Sequence, residues 1–156
     1  MADEYSLVRL PIELLVQKRS GECLAACAVM VLRSLQVSVD YVQLVRMLEI
    51  TDIGAPFSRL LRLETLGVKV TLSCGTLPLL HRHLVRGLPS IVAVDTRELP
   101  YWRSVASPHA VVVCGMNRHD VLLLDPAFAT GPFLVTHGDF DLAWLERDEQ
   151  YATITR

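Results

Sequence analysis

Apolar positions recur at helical spacing in the first part of the chain and form short strand-like runs in the second. Apolar residues three or four positions apart predict helices. The predicted helices cover residues 22–35, 39–50, 57–66, 77–86 and 139–144. Short β-branched runs bounded by Gly, Pro, Asn or Asp predict strands. The predicted strands cover residues 8–16, 68–73, 90–95, 109–115, 120–125, 133–136 and 151–155.

The order of these elements indicates the fold class. Helices come first and most strands later, which favours an α+β fold with an antiparallel sheet over a doubly wound one. Pro11 interrupts the first strand, which suits an edge position. The chain has 156 residues and shows no internal repeat, linker or low-complexity segment. We therefore expect a single domain over residues 1–156.

Composition excludes several classes of protein. The net charge is −2 and basic residues are scattered, so neither nucleic acid nor an anionic membrane is expected as a partner. No apolar run is long enough to span a bilayer. The N-terminus lacks a signal-peptide pattern, which predicts a cytoplasmic protein whose four cysteines are thiols. The 51% hydrophobic content indicates a large core, or a homo-oligomer formed through apolar surface.

Cys23 stands at the predicted start of the first helix, directly after a Ser20-Gly21-Glu22 sequence that favours helix initiation. A thiol in the first turn lies near unpaired N–H groups and the positive end of the helix dipole. Both stabilise the thiolate, which is the nucleophilic form. The alternative is that Cys23 is one more small buried apolar residue.

A predicted hairpin supplies a second group of polar residues. Folding it about Asn117 places His109 directly opposite Asp125, on one face of the sheet and within side-chain reach. A carboxylate beside an imidazole fixes its tautomer and stabilises the imidazolium. Alternatively, His109 begins a strand by chance and the Asp-Pro pair only ends one. With Cys23 and the amide of Gln17, the set offers a nucleophile, a base, an orienting group and an amide donor.

These motifs carry a resemblance to a known family. Gln17 precedes Cys23 by six positions, and the same helix continues with Ala-Ala-Cys and a Met. His109-Ala-Val-Val-Val-Cys-Gly and Val-Leu-Leu-Leu-Asp125-Pro-Ala follow later. The chain thus resembles, over nearly its whole length, the C39 group of papain-like cysteine peptidases.

The resemblance implies a papain-like fold, with a helical N-terminal part packed on a C-terminal antiparallel sheet. It implies a thiol peptidase acting on a peptide or protein substrate. Cys23 would be the nucleophile, His109 the general base and Asp125 its orienting partner, while Gln17 would donate to the oxyanion. This chemistry is complete with side chains alone, so we expect no metal and no organic cofactor.

The chain departs from the transporter-attached members of that group, which cut leader peptides after a glycine pair. Glu22 stands where an aspartate is usual and Leu24 where a glycine is usual. We therefore expect a stand-alone relative whose substrate is open. The alternatives are a related thiol amidase or acyltransferase, a peptide-binding module without cleavage, and a structural interaction module.

The remaining candidate residues favour structural roles. Cys27 and Cys114 are expected to pack in the core, because two cysteines one helical turn apart make poor zinc geometry without a second ligand pair. Cys74, in a Ser-Cys-Gly turn, is expected to be exposed. Solvated side chains are expected for His81, His83, His119 and His137. Core packing is favoured for Phe140 and Trp144, and for Tyr101 and Trp102 over a substrate-contacting flap.

Overall fold

A seven-stranded antiparallel sheet forms the centre of the computed structural model, which describes residues 4–156. Its strands are β1 (Val8–Arg9), β2 (Lys69–Cys74), β3 (Ser90–Asp95), β4 (Pro108–Met116), β5 (Asp120–Leu124), β6 (Phe133–Thr136) and β7 (Gln150–Thr155). Their spatial order is β2-β7-β3-β4-β5-β6, and β1 pairs with the end of β4. The predicted α+β class with an antiparallel sheet is confirmed.

The helices follow the predicted positions. They are α1 (Cys23–Ser34), α2 (Tyr41–Met47), a 3₁₀ helix (Phe57–Leu66), α3 (Leu77–Val85) and α4 (His137–Leu145). Asp40 caps α2 by accepting hydrogen bonds from two backbone N–H groups. The segment predicted as a loop between β3 and β4 contains two further 3₁₀ turns, Thr96–Glu98 and Pro100–Trp102. None of the helices within residues 4–156 is long and apolar enough to cross a membrane.

The sheet is covered on both faces. On one face lie α1, α2 and the 3₁₀ helix Phe57–Leu66, and every α1 residue from 24 to 32 is buried. On the other face lie α3 and α4, with Phe140 and Trp144 fully buried as predicted. Because both faces are covered, β4 is apolar at successive positions rather than alternating. The expected packing of an N-terminal helical part on the sheet is confirmed; the second helical layer was not predicted.

The prediction of a strand over residues 8–16 is wrong beyond Arg9. Val8 pairs with Met116 and Arg9 with Gly115, and the Leu10 N–H donates to the Cys114 carbonyl at 2.8 Å. Proline has no N–H to continue this ladder, so pairing ends at Pro11. The chain then crosses toward the start of α1.

Candidate active site

Cys23 is the first residue of α1, as its position after Gly21 predicted. Its side chain is partly exposed in a cleft that His109 also lines, and His109 is near enough to lower the pKa of the thiol. The backbone groups of Leu24 and Ala110 also contact the sulfur. The thiol therefore lies where the N-terminus of α1 meets the first residues of β4.

His109 and Asp125 form a buried hydrogen-bonded pair. The His109 Nε2 lies 2.7 Å from Asp125 Oδ1, and the two side chains are 6% and 0% exposed. Because Nε2 is used by the carboxylate, Nδ1 is the imidazole nitrogen left for Cys23. The structure thus brings together the three residues that the sequence singled out.

The predicted register of the hairpin is wrong, although the proximity is right. Val112 is opposite Leu124, which by extension places Val111, not His109, opposite Asp125. The turn is centred between residues 118 and 119, since the Asn117 N–H bonds to the Asp120 carbonyl, and the register also shifts between Val113 and Gly115. His109 is two residues from the opposed position, so it stays on the same face and reaches Asp125 diagonally.

Four donors satisfy the buried Asp125 carboxylate. Oδ2 accepts from the Tyr101 hydroxyl at 2.7 Å and from the Trp102 indole N–H at 2.9 Å. Oδ1 accepts from the Ala127 backbone N–H at 2.9 Å, in addition to its bond with His109. A buried carboxylate is stable only when its oxygens are paired in this way. Asp125 is therefore held in one orientation.

Aromatic rings hold the two side-chain donors to Asp125. Tyr101 stacks on Phe133 with ring centroids 3.9 Å apart, and Phe128 meets Tyr101 and Trp102 edge-on. The Trp102 ring also lies edge-on to His109, at 5.1 Å between centroids. Core packing or a substrate-contacting flap was predicted for Tyr101 and Trp102, and their contact with Asp125 was not predicted. The signal available was that a buried Tyr or Trp needs a partner for its polar end.

The electrostatics of the cluster favour a thiolate and an imidazolium. Burial raises the pKa of Cys23, but the hydrogen bond and charge of His109 outweigh it and lower that pKa below its ordinary value. Burial lowers the pKa of His109, but the hydrogen bonds and charges of the acceptors Asp125 and Cys23 outweigh burial and raise that pKa to about 9. For Asp125, burial is outweighed by its bond to His109, which lowers the carboxyl pKa. Each charge therefore stabilises its neighbour.

A cleft of about 410 Å³ opens beside these residues. Its lining includes Gln17, Cys23, Ile53, Trp102, Val105 and His109. The cleft is bounded by the loops before α1 and after α2 on one side and by the start of β4 on the other. Asp125 lies behind His109. Among the described residues 4–156, it is not one of those that line the cleft.

Gln17 reaches the cleft as predicted. Its side-chain oxygen is buried and has no hydrogen-bond partner among residues 4–156. A half-turn about the last side-chain bond exchanges the amide oxygen and nitrogen, so either an acceptor or a donor can face this space. The backbone of Gln17 is fixed, since its N–H donates to the Pro126 carbonyl at 2.8 Å.

The other cysteines have the expected environments. Cys27 and Cys114 are buried in the core and Cys74 is exposed. Burial raises the pKa of Cys27 well above its ordinary value and that of Cys114 to about 11. Within residues 4–156, no group of three or more His, Cys, Asp or Glu side chains could hold a metal ion.

The prediction of solvated histidines is right for His119 and wrong for the other three, which are partly buried. His81 Nε2 bonds to the Ser6 carbonyl and His137 Nε2 to the Asn117 carbonyl, each at 2.8 Å. The Tyr5 ring packs against both imidazoles. The segment before β1 thus folds over α3 and α4, a long-range contact that helical periodicity does not reveal.

Comparisons with known proteins show a family match. The model of the Peptidase C39 family matches residues 12–147 of the chain. No curated protein sequence matches the chain.

Solved structures share the fold. A protein described as a C39-like peptidase from Bacillus anthracis is 16% identical, with a TM-score of 0.82 over 97% of this chain and 98% of that chain. The peptidase domain of Streptococcus ComA, a bifunctional ABC transporter, is 16% identical, with a TM-score of 0.74 over 92% of this chain and 98% of that one. A double glycine motif protease from an AMS/PCAT transporter, in complex with its leader peptide, is 18% identical, with a TM-score of 0.72 over 95% and 94% of the two chains. The fold is therefore the papain-like one that the sequence predicted.

Proposed function

The chain belongs to the Peptidase C39 family, and we propose that it is a cysteine peptidase that cleaves peptide or protein substrates with Cys23 as nucleophile. The observation that carries the proposal is that Cys23 and His109 line one cleft, with His109 hydrogen-bonded behind it to the buried Asp125. A thiol of lowered pKa beside an imidazole of raised pKa is the activated nucleophile that acyl transfer requires.

In the proposed first step, the Cys23 sulfur attacks the carbonyl carbon of the scissile peptide bond. A C–S bond forms and the carbonyl oxygen takes the negative charge. The C–N bond then breaks as the His109 imidazolium gives its proton to the leaving amine. Water, deprotonated by His109, attacks the resulting thioester and releases the acid and the free thiolate.

Asp125 acts on this reaction through His109. Its hydrogen bond to Nε2 keeps Nδ1 facing Cys23 and stabilises the imidazolium. Tyr101 and Trp102 in turn hold the carboxylate in place. Because Asp125 is behind the imidazole, it orients the base without contacting the substrate.

Gln17 would stabilise the oxyanion with its side-chain amide. The support is its place in the cleft lining together with Cys23, and the unpartnered position of its amide oxygen within residues 4–156, which the amide NH2 group would occupy after a half-turn. A preorganised donor aimed at a developing negative charge needs no reorganisation during the reaction. With side chains in all four roles, the proposal includes no metal and no cofactor.

Leader peptides are the proposed substrate class, because the double glycine motif protease of the same fold was solved with its leader peptide. Glu22 and Leu24 differ from the residues usual in transporter-attached members, so we expect a sequence preference other than a glycine pair.

A diverse peptide library tests this proposal, with cleavage profiled for the wild type and for Cys23→Ala. Cleavage at defined sites by the wild type alone supports a cysteine peptidase. Binding of library peptides without cleavage would instead indicate a peptide-binding module. Products joined to an added amine in place of water would indicate an acyltransferase.

A further inference from the structure

Two consecutive backbone N–H groups fix the loop before Cys23 to different parts of the molecule. The Gln17 N–H donates to the Pro126 carbonyl, which follows Asp125, at 2.8 Å. The next one, the Lys18 N–H, donates to the Tyr41 hydroxyl at 3.2 Å. Tyr41 is the first residue of α2. The position of Gln17 is therefore set from the turn after β5 on one side and from the start of α2 on the other.

The Tyr41 hydroxyl is itself held by Glu22. It donates to Glu22 Oε1 at 2.9 Å, and the two residues are only 7% and 9% exposed. An ionised carboxylate can only accept, so the hydroxyl proton points to Glu22 and the oxygen lone pairs are free for Lys18. Consecutive hydrogen bonds of this kind polarise and strengthen one another.

Two further observations indicate that the Tyr41–Glu22 hydrogen bond fixes the loop before Cys23. Glu22 is the N-cap residue of α1, yet its side chain makes no capping hydrogen bond within the helix. The Lys18 ammonium lies 4.9 Å from the Tyr41 ring centroid, a cation–π contact that adds to the backbone bond. Within the described residues 4–156, neither Tyr41 nor Glu22 lines the cleft. Neither side chain is therefore placed to contact a substrate in the cleft, and both act through the backbone to which they are bonded.

We propose that Tyr41 and Glu22 are positioning residues that hold the Gln17 side chain at the oxyanion site through the backbone of Lys18. The inference rests on the proposed peptidase function. Loss of the Tyr41 hydroxyl leaves the Lys18 N–H without its partner and frees one side of the loop. The thiol and His109 keep their own contacts, so the nucleophile is formed as before.

Tyr41→Phe tests this inference, because it removes one oxygen and leaves the ring and its packing. With the library peptide that the wild type cleaves fastest, kcat should fall roughly 10-fold with KM unchanged. This loss is smaller than the roughly 100- to 1000-fold expected when an oxyanion donor is removed. The rate of Cys23 alkylation by iodoacetamide should be unchanged. Tyr151→Phe is the matched control: this buried tyrosine packs on the opposite face of the sheet, and kcat should not change.

The double variant Tyr41→Phe/Gln17→Ala separates positioning from a general structural role. If Tyr41 acts through Gln17, the kcat of the double variant should be no lower than that of Gln17→Ala alone. Glu22→Gln retains an acceptor oxygen and should keep most of the activity, whereas Glu22→Leu should match Tyr41→Phe.

Three results would overturn the inference. Unchanged kcat in Tyr41→Phe would show that the loop keeps its position without the hydroxyl. Fully multiplicative losses in the double variant would show that Tyr41 does not act through Gln17. Either result, with Cys23-dependent cleavage intact in the wild type, removes the positioning role alone. Absence of Cys23-dependent cleavage in the wild type removes the proposed function and this inference together.

Discussion

His109 and Asp125 are joined by a 2.7 Å hydrogen bond although the hairpin does not set them directly opposite one another. The bond therefore depends on more than strand pairing. Tyr101, Trp102 and Ala127 each donate to the carboxylate and fix the direction in which it faces. The loop between β3 and β4 thus orients His109 through Asp125, and Trp102 of this loop also packs edge-on against the imidazole.

Trp102→Phe should reduce kcat and shift the pH profile, because it removes the indole N–H that Asp125 Oδ2 accepts at 2.9 Å. Loss of one hydrogen-bond donor to the buried carboxylate should lower the free energy of unfolding by about 1–3 kcal/mol. Urea unfolding measures the stability, and initial rates over pH 5–10 measure the effect on His109.

Trp144→Phe provides the control for this variant. The Trp144 indole N–H donates to the Gln150 carbonyl at 2.9 Å, on the α4 side of the sheet. This change should also lower stability, but without moving the pH profile. Identical pH profiles for wild type and Trp102→Phe would show that Trp102 only packs.

Gly21→Ala should disturb the loop between Gln17 and Cys23. Gly21 has φ +86°, and an added Cβ would lie 2.6 Å from the backbone oxygens of both Thr51 and Asp52. Strain and collision together should lower the free energy of unfolding by about 3 kcal/mol, and kcat should fall as well. Gly67→Ala is the matched control, since φ is +87° and nothing lies within 4 Å of the added Cβ. In Gly67→Ala the backbone strain alone should lower the free energy of unfolding, by about 1–2 kcal/mol, and kcat should be unchanged. Equal effects of the two variants would refute the close approach of the loops.

The pH dependence of kcat/KM should be bell-shaped. Activity rises as Cys23 loses its proton through its lowered pKa, and it falls as His109 loses its proton near its pKa of about 9. Asp125 raises the His109 pKa through its hydrogen bond and its charge. Asp125→Asn removes the charge, so the alkaline limb should move to lower pH. An alkaline limb that stays in place in Asp125→Asn would contradict this assignment.

Gln17→Ala should spare folding and substrate binding but slow the chemical step roughly 100- to 1000-fold. Cys23 should still react with iodoacetamide at the wild-type rate, because alkylation forms no oxyanion. The measurement compares the turnover rate and the alkylation rate of Gln17→Ala with those of the wild type. Unchanged turnover refutes the oxyanion role, and parallel loss of both rates indicates a displaced Cys23 loop instead.

The sequence predicted the elements better than the contacts between them. Strand 90–95 and strand 133–136 have the predicted bounds, since apolar β-branched runs carry that information locally. The hairpin register was missed because the turn centre and the shift near Cys114 depend on side-chain hydrogen bonds, such as those of Asn117, and on packing. The second helical layer was missed because a pattern of apolar residues does not specify which face of a sheet it covers.

The residues of the candidate site could likewise be predicted only in part. Cys23, His109, Asp125 and Gln17 could be selected because their residue types and spacing carry chemistry. The roles of Tyr101, Trp102, Glu22 and Tyr41 could not be predicted, since they depend on side-chain hydrogen bonds between segments far apart in the sequence. Such bonds are set only when the fold is complete.

Covalent catalysis by Cys23 is tested most directly by the mass of the protein during turnover. A reaction with the best library peptide is quenched with acid within one turnover and examined by intact-protein and peptide mass spectrometry. We expect a thioester on Cys23 that carries the N-terminal fragment of the substrate and that is absent in Cys23→Ala. Continued cleavage by Cys23→Ala at the wild-type rate, with no adduct on the wild-type protein, would contradict it.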